Sequence, residues 1–326
     1  MSVGRVIMAA PRGFCAGVDR AIDIVNLALE VYGTPVYVRK EIVHNAHVVA
    51  ELGGRGAVFV DDLEEVPDGA RVIFSAHGIA PEVRTQAAAK GLRVIDATCP
   101  LVTKVHHEAL KYARDGRSII LVGHAGHDEV IGTMGHAPGG MSLVGTVDEA
   151  EEVQVPNPDR VAVITQTTLS IDDTREIITV LKRRFPKAVF PPKDDICYAT
   201  QNRQVAVKQM AGTMDLLLVI GSTNSSNSMR LVEVAQAAGV QAYLIDDISE
   251  IDPAWLDGVR TAGITAGASA PEHLVQEAVD FFRRAGVSRV EEWDGIREDV
   301  VFALPPEIQK DLPPGTKAAR SLRVLG

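Results

Sequence analysis

Three cysteines lie far apart in this chain of 326 residues, and each sits between a short apolar run and a helical pattern. They are Cys15, Cys99 and Cys197, and the run before Cys197 spans 188–190. Their odd number and wide spacing do not suggest a disulfide framework, and no C-x-x-C pair supports a zinc ribbon or a thioredoxin-type site. A single free cysteine is usually a small buried hydrophobe. Their shared position makes these three candidates for metal binding.

Two polar loops follow each cysteine at similar intervals. The first loop lies 29, 28 and 28 residues after its cysteine, and the second lies 62, 68 and 72 residues after it. Each loop again stands between an apolar run and a helical pattern. This self-similarity predicts three copies of one structural unit, each presenting one thiol and two polar loops. The loop residues are His44, His127 and Ser225, followed by His77, Thr167 and Ser269.

The apolar runs are rich in β-branched residues and apolar throughout rather than alternating, which is typical of parallel strands that are buried on both faces. Helical patterns separate them, so the alternation predicts an α/β fold with parallel sheets. We expect three similar α/β units in a pseudo-threefold arrangement around a central cavity. Their predicted bounds are 16–96, 97–193, and 1–15 with 194–285, before a charged, proline-rich tail over 286–326 that wraps the body at 300–302.

Parallel sheets bind ligands at the carboxyl ends of their strands, so the three thiols and the six loops are expected to face that cavity. Three thiolates could hold a zinc ion that takes a further ligand. They could instead hold three irons of an iron–sulfur cubane whose remaining iron stays open to substrate. The number of ligands does not decide between these two kinds of metal site.

The loops place His, Ser, Thr, Asn and Gly at predicted helix N-termini, where such groups donate hydrogen bonds to a phosphate or diphosphate. Ser225, Ser226 and Asn227 could equally be ordinary helix caps. Glu129 follows His127 by two residues and could deliver protons, since a carboxyl group beside an anion has a raised pKa. It could otherwise only offset a helix dipole. No motif for ATP, NAD or FAD is present.

The composition is that of an ordinary globular protein, with 46% hydrophobic and 23% charged residues. The length predicts two or three domains, at about 150 residues each. A net charge of −10 argues against a nucleic-acid partner. No apolar run approaches the roughly 18 residues of a membrane span. The first ten residues are too short for a signal-peptide core, so we expect a cytoplasmic protein without a membrane partner.

Eight segments in the same order resemble the 4-hydroxy-3-methylbut-2-enyl diphosphate reductases, and the resemblance runs from about residue 5 to about 285. It implies three α/β domains around a central cluster, one [4Fe–4S] per chain, held by Cys15, Cys99 and Cys197. The matching segments are 11–18, 74–78, 96–102, 123–127, 165–170, 194–200, 224–228 and 265–269.

The resemblance also implies the reaction, a reductive dehydration of the allylic diphosphate to isopentenyl and dimethylallyl diphosphates. Thr167 would position the allylic hydroxyl or a water, and Glu129 would donate the proton. Asp128 stands where the family usually has Pro, which adds a negative charge beside Glu129. The residues implied to contact the substrate, mainly its diphosphate, are His44, His77, His127, Ser225, Ser226, Asn227 and Ser269.

Ferredoxin or flavodoxin is the implied electron donor, and we expect a monomer. Two other classes of protein remain open at this point. One is a zinc-dependent hydrolase with cysteine ligands and Glu129 as its base. The other is an iron–sulfur sensor that binds a phosphorylated metabolite without turning it over. Metal content separates the first alternative from the reductase, and turnover with a reduced donor separates the second.

Overall fold

The computed structural model describes residues 3–191 and 195–312. The predicted boundary at 193/194 and the end of the tail lie outside these residues. The described strands are β1 (Arg5–Met8), β2 (Val36–Arg39), β3 (Ala57–Val60), β4 (Arg71–Phe74), β5 (Arg93–Asp96), β6 (Ser118–Val122), β7 (Met141–Val144), β8 (Val161–Thr165), β9 (Leu216–Ile220), β10 (Gln241–Ile245), β11 (Thr261–Ala266) and β12 (Arg289–Glu292).

Helices alternate with these strands along most of the chain. Short 3₁₀ turns span Leu63–Glu65, Ala211–Thr213, Ile248–Glu250 and Pro253–Leu256. The described α-helices are α1 (Ala16–Tyr32), α2 (Ala46–Gly54), α3 (Pro81–Ala89), α4 (Pro100–Arg114), α5 (Asp128–Met134), α6 (Val147–Glu152), α7 (Ile171–Arg184), α8 (Tyr198–Met210), α9 (Ser226–Ala237), α10 (Glu272–Arg284) and α11 (Pro306–Gln309).

The strands form three separate sheets, and every strand pair in the described residues is parallel. The first sheet has the order β3-β2-β4-β5, the second β7-β6-β8, and the third β10-β9-β11-β1-β12. Strands β6, β8 and β9 are buried along their whole length, as expected for sheets that helices cover on both faces. The prediction of three parallel α/β units is therefore confirmed, whereas their exact bounds stay a prediction.

One expected strand is almost missing. The apolar run 188–190 before Cys197 forms only an isolated parallel bridge, between Val189 and Ala162 beside the second sheet. Pro191 follows directly, and because proline has no N–H to donate, it cannot extend the ladder. Among the described residues, no strand directly precedes Cys197.

The segment after residue 285 joins the third sheet to the first unit. Strand β12 pairs with β1 at the edge of the third sheet. Farther along, Leu304 and Ile308 are buried in the core of the first unit. Residues Val300 and Val301, in the run expected to wrap the body, are 41% and 63% exposed. Phe302, the last residue of that run, is half-buried. The run therefore meets the body only at its end, and the buried contact follows at Leu304 and Ile308.

No helix within the described residues combines the length and apolar character that a membrane crossing requires.

We predict that Ile308→Ala destabilises the protein by about 2–5 kcal/mol, because it leaves a cavity where the tail enters the first unit's core. The matched change Val301→Ala, at an exposed site on the same segment, should alter the free energy of unfolding by no more than about 0.5 kcal/mol. Urea unfolding followed by circular dichroism measures both. Equal effects of the two changes would show that the segment is not docked at Ile308.

Candidate active site

Each cysteine occupies the N-cap of a helix at the centre of the molecule. Cys15 caps α1, Cys99 caps α4 and Cys197 caps α8. Pro100 follows Cys99 at the first helical position, where its fixed φ suits the start of a helix. The positive end of a helix dipole favours a thiolate at such a position.

The second polar loop of one unit holds each cysteine by a main-chain hydrogen bond. The cysteine N–H donates to a loop carbonyl at the carboxyl end of β4, β8 or β11. Because each loop binds the cysteine at the N-cap of the first helix of the next unit, the three bonds close a ring. The pairs are Cys99 N to Ala76 O at 3.0 Å, Cys197 N to Thr167 O at 2.9 Å, and Cys15 N to Ala268 O at 3.2 Å.

The three thiols line one central pocket with an empty volume of about 690 Å³, and none forms a disulfide. Gly17 borders the same space: a Cβ at this position would lie 2.8 Å from the Cys99 Sγ and 3.8 Å from the Cys15 Sγ. Any larger residue would therefore intrude between two thiols. The three thiols fit a metal centre with sulfur ligands. Both iron–sulfur clusters and zinc accept such ligands.

The thiols are held in their neutral form in the absence of a metal. Burial raises the pKa of the Cys99 thiol to about 12, and the proximity of Cys15 and Cys197 adds to this rise. Burial likewise raises the pKa of Cys197 to about 11. Metal binding must therefore release these protons, and the site favours a cation that binds thiolates strongly.

Three histidines face each other at the mouth of the pocket. The rings of His44 and His77 stack at 3.8 Å, and His127 meets them edge-on at 5.3 and 6.0 Å. Burial lowers the pKa of His127 to about 4, and that of His77 falls well below its usual value for the same reason, with neighbouring histidines adding to both shifts. His77 and His127 are therefore neutral until an anion arrives, which makes their rings more basic.

Within the described residues, both hydrogen bonds assigned to the Glu129 side chain come from Thr167. The Thr167 N–H donates to one carboxylate oxygen at 2.7 Å, and its hydroxyl donates to the other at 2.9 Å. Glu129 is buried, and this burial raises its pKa to about 7, although both bonds from Thr167 oppose the rise. A carboxyl group with this pKa can change protonation state near neutral pH, as a general acid must.

Asp128 has a different position from the one expected. Its carboxylate faces His44 and His77, with one ligand atom of each residue within 4.8 Å of the others, close enough for the three to share a cation. The acidic neighbour that contributes to the raised pKa of Glu129 is Asp195, which lies two residues before Cys197. The Asp128 carboxylate therefore lies next to the histidines.

The polar residues around α9 serve both as caps and as pocket lining. The Ser225 Oγ caps α9 by accepting from the Ser228 N–H at 3.4 Å, so its expected capping role is real. The Ser269 hydroxyl donates to the His44 carbonyl at 2.8 Å, and the Ser226 hydroxyl donates to a carbonyl at 3.0 Å. Both amide atoms of Asn227 are buried without an assigned partner. A ligand with acceptor and donor atoms would satisfy them.

All twelve predicted site residues therefore line the same pocket, although their individual roles stay predictions. The sequence did not single out Thr168 or Thr200, which also line it. The position of Thr200, three residues after Cys197, is a capping distance that could have indicated it, since its N–H donates to the Cys197 Sγ at 3.4 Å.

Comparison with known proteins now identifies the family. The model of the LytB protein family matches residues 6–283. The chain belongs to the LytB family. Two relatives are named 4-hydroxy-3-methylbut-2-enyl diphosphate reductase. The one from Acidothermus cellulolyticus is 59% identical over 94% of this chain and 91% of its own length. The one from Leifsonia xyli subsp. xyli is 57% identical over 99% and 95%.

A solved structure agrees in fold over nearly the whole molecule. It is the E-1-hydroxy-2-methyl-but-2-enyl-4-diphosphate reductase from Plasmodium falciparum, with a TM-score of 0.92 and 39% identity. The match covers 94% of this chain and 98% of that one. The resemblance noted in the eight sequence segments is thus confirmed.

We predict that inorganic diphosphate binds to the holoenzyme with uptake of protons, because an anion raises the low pKa values of His77 and His127. Affinity should therefore weaken as the pH rises. Calorimetry in two buffers with different ionisation enthalpies measures the uptake. His77→Asn should reduce it, and His107→Asn, an exposed site on α4, should not. Binding without proton uptake at any pH would show that the rings do not meet the anion.

Proposed function

We propose that this LytB protein catalyses the reductive dehydration of 4-hydroxy-3-methylbut-2-enyl diphosphate to isopentenyl and dimethylallyl diphosphates. The observation that carries the proposal is that three free thiols, a buried carboxyl group and a cluster of histidine, serine and asparagine side chains line one pocket. The names of the relatives support the substrate. The residues account for how such a substrate would be held and protonated.

The rim of the pocket binds the diphosphate in this proposal. His44, His77 and His127 supply ring N–H groups, and the Ser225 and Asn227 side chains supply further donors. The Ser226 and Ser269 hydroxyls line the same place and would donate to the diphosphate after releasing their carbonyl partners. The N-terminus of α9 adds a favourable dipole at the same place. Holding the diphosphate here directs the short allylic end inward, where positioning lowers the barrier for reaction at the thiol-lined floor.

Thr167 and Glu129 handle the protons at the allylic end. The hydroxyl of Thr167 is hydrogen-bonded to Glu129 at 2.9 Å, and both residues line the pocket. It can therefore pass a proton from the carboxyl group to the substrate hydroxyl, which then leaves as water. The pKa of Glu129, about 7, suits both the release and the recovery of that proton. The overall reaction consumes two electrons and two protons for each water released.

We assign Cys15, Cys99 and Cys197 as the ligands of one [4Fe–4S] cluster. When bound, the cluster supplies the electrons and an iron without a protein ligand that acts as a Lewis acid. The space beside Gly17 and the absence of a fourth cysteine from the sequence support this assignment over a closed four-thiolate site. A ferredoxin or flavodoxin would bring the electrons one at a time to a cytoplasmic monomer.

Turnover of the synthetic substrate by anaerobically purified protein with a chemically reduced viologen tests the reaction directly. We expect both isomeric products and consumption of two equivalents of reductant for each water lost. Zinc in place of iron and sulfide would support a hydrolase. A complete cluster without turnover would support a sensor.

Glu129→Gln should leave the cluster and the substrate affinity unchanged but reduce turnover by at least about 100-fold, because the amide cannot deliver a proton. Glu108→Gln is the matched control. Burial also raises the pKa of Glu108 to about 7, but this residue lies outside the pocket. Near-normal turnover by Glu129→Gln in the same viologen assay would show that Glu129 is not the proton donor.

Cys99→Ser should lower the iron and acid-labile sulfide content far below that of the wild type, since a hydroxyl is a poor ligand for iron–sulfur clusters. Thr103→Ser, one turn farther along α4, should keep the full content. Chemical analysis of iron and acid-labile sulfide measures the cluster content of each variant, with circular dichroism as the folding control. A full cluster in Cys99→Ser would refute the three-thiolate site.

A further inference from the structure

Arg203 is a buried cation that the proposed chemistry does not use. Its side chain has no exposed surface, and it lies on α8, close to the cap residue Cys197. Its guanidinium donates to the Gly13 carbonyl from Nη2 at 2.6 Å and from Nε at 3.2 Å. A longer bond of 3.4 Å reaches the Phe14 carbonyl. Arg203 therefore holds the loop that presents Cys15.

The counter-ion of Arg203 comes from the segment that follows the third sheet. The Arg203 Nη1 donates to both carboxylate oxygens of Glu298, at 3.1 and 3.3 Å. The Asn202 amide donates to the same carboxylate at 3.0 Å. Glu298 is 14% exposed, whereas its neighbours Arg297 and Asp299 are open to solvent. The chain thus turns this one side chain inward.

A buried ion pair is costly to form, since taking each ion out of water costs several kcal/mol. Polar main-chain contacts alone would not need a permanent charge here. The Arg203 guanidinium, however, donates to the carbonyl groups of Gly13 and Phe14, which directly precede Cys15. Glu298 is in contact with that same guanidinium. The pair therefore places a positive charge next to one of the three proposed cluster ligands and a negative charge in contact with that cation.

The charge of the surroundings matters because reduction makes an iron–sulfur centre more negative. One electron arrives from an external one-electron carrier and adds one negative charge to the cluster and its thiolates. Reduction potentials of such clusters follow net charge, hydrogen bonds and solvent exposure. A fixed cation beside the cluster favours the reduced state, and a fixed anion beside that cation weakens the effect.

We propose that Arg203 and Glu298 are positioning residues that set the reduction potential of the cluster, with Arg203 raising it and Glu298 moderating that rise from the C-terminal segment. This inference rests on the proposed function, because it requires the cluster at Cys15, Cys99 and Cys197. It gives the segment after residue 285, which lies beyond the matched family region, a role at the site.

Glu298→Gln tests the proposal with nearly the same side-chain shape. The amide can still accept from Arg203, but the negative charge is gone. We expect an upward shift of the potential at unchanged iron and sulfide content, measured by an anaerobic redox titration followed by electron paramagnetic resonance. A purely structural Glu298 would leave the potential where it is.

The matched control is Glu292→Gln. Glu292 lies on the same segment and also pairs with an arginine, Arg12, at 2.7 Å, but it is 59% exposed. Solvent screens this pair, so its potential should stay at the wild-type value. Arg203→Gln should shift the potential downward, opposite to Glu298→Gln. Glu298→Asp keeps the charge and should have the wild-type potential. It provides the test if the glutamine variant holds less cluster.

An unchanged or lower potential in Glu298→Gln that holds a full cluster would overturn the proposal and leave the reductase assignment intact. An equal shift in Glu292→Gln would overturn it as well, since the effect would then not be local. A potential for Glu298→Asp that matches the glutamine variant would have the same consequence. Wild-type protein without any cluster would instead refute the proposed function, and the inference with it.

Discussion

The ring of hydrogen bonds between cysteine N–H groups and loop carbonyls is the constraint on which the rest of the molecule depends. Cys15, Cys99 and Cys197 are each fixed by a loop at the carboxyl edge of a parallel sheet. Parallel strands end together at that edge, so three sheets that meet there bring their loops into one small space. The same contacts that join the units also aim the three thiols at one point.

Burial keeps the charge of the pocket low until its ligands arrive. Burial keeps the thiols protonated, holds His77 and His127 neutral, and brings the pKa of Glu129 to about 7. A metal centre releases the thiol protons, and an anionic substrate makes the histidines more basic. Loading of the pocket therefore releases protons from the thiols and takes up protons at the histidines. Before loading, the fold holds fewer buried charges, which are costly to bury.

The sequence was informative where chemistry repeats along the chain. Regular spacing from each cysteine to its loops indicated the three units and brought His44, Thr167 and Ser269 to the same site. It could not show features that depend on side-chain direction in three dimensions. Asp128 faces the histidines although it adjoins Glu129, and Arg203 is a buried cation whose partner Glu298 lies 95 residues away. Such pairs leave no local pattern.

In the proposed reaction, three cysteines hold a cluster with one iron left open to the substrate. A Mössbauer spectrum of anaerobic protein assembled with enriched iron, recorded before and after the substrate is added, tests this arrangement. We expect about four irons and four sulfides per chain, with a single iron site whose signal changes when the substrate binds. A spectrum without iron–sulfur sites, or one in which no iron responds to the substrate, would contradict it.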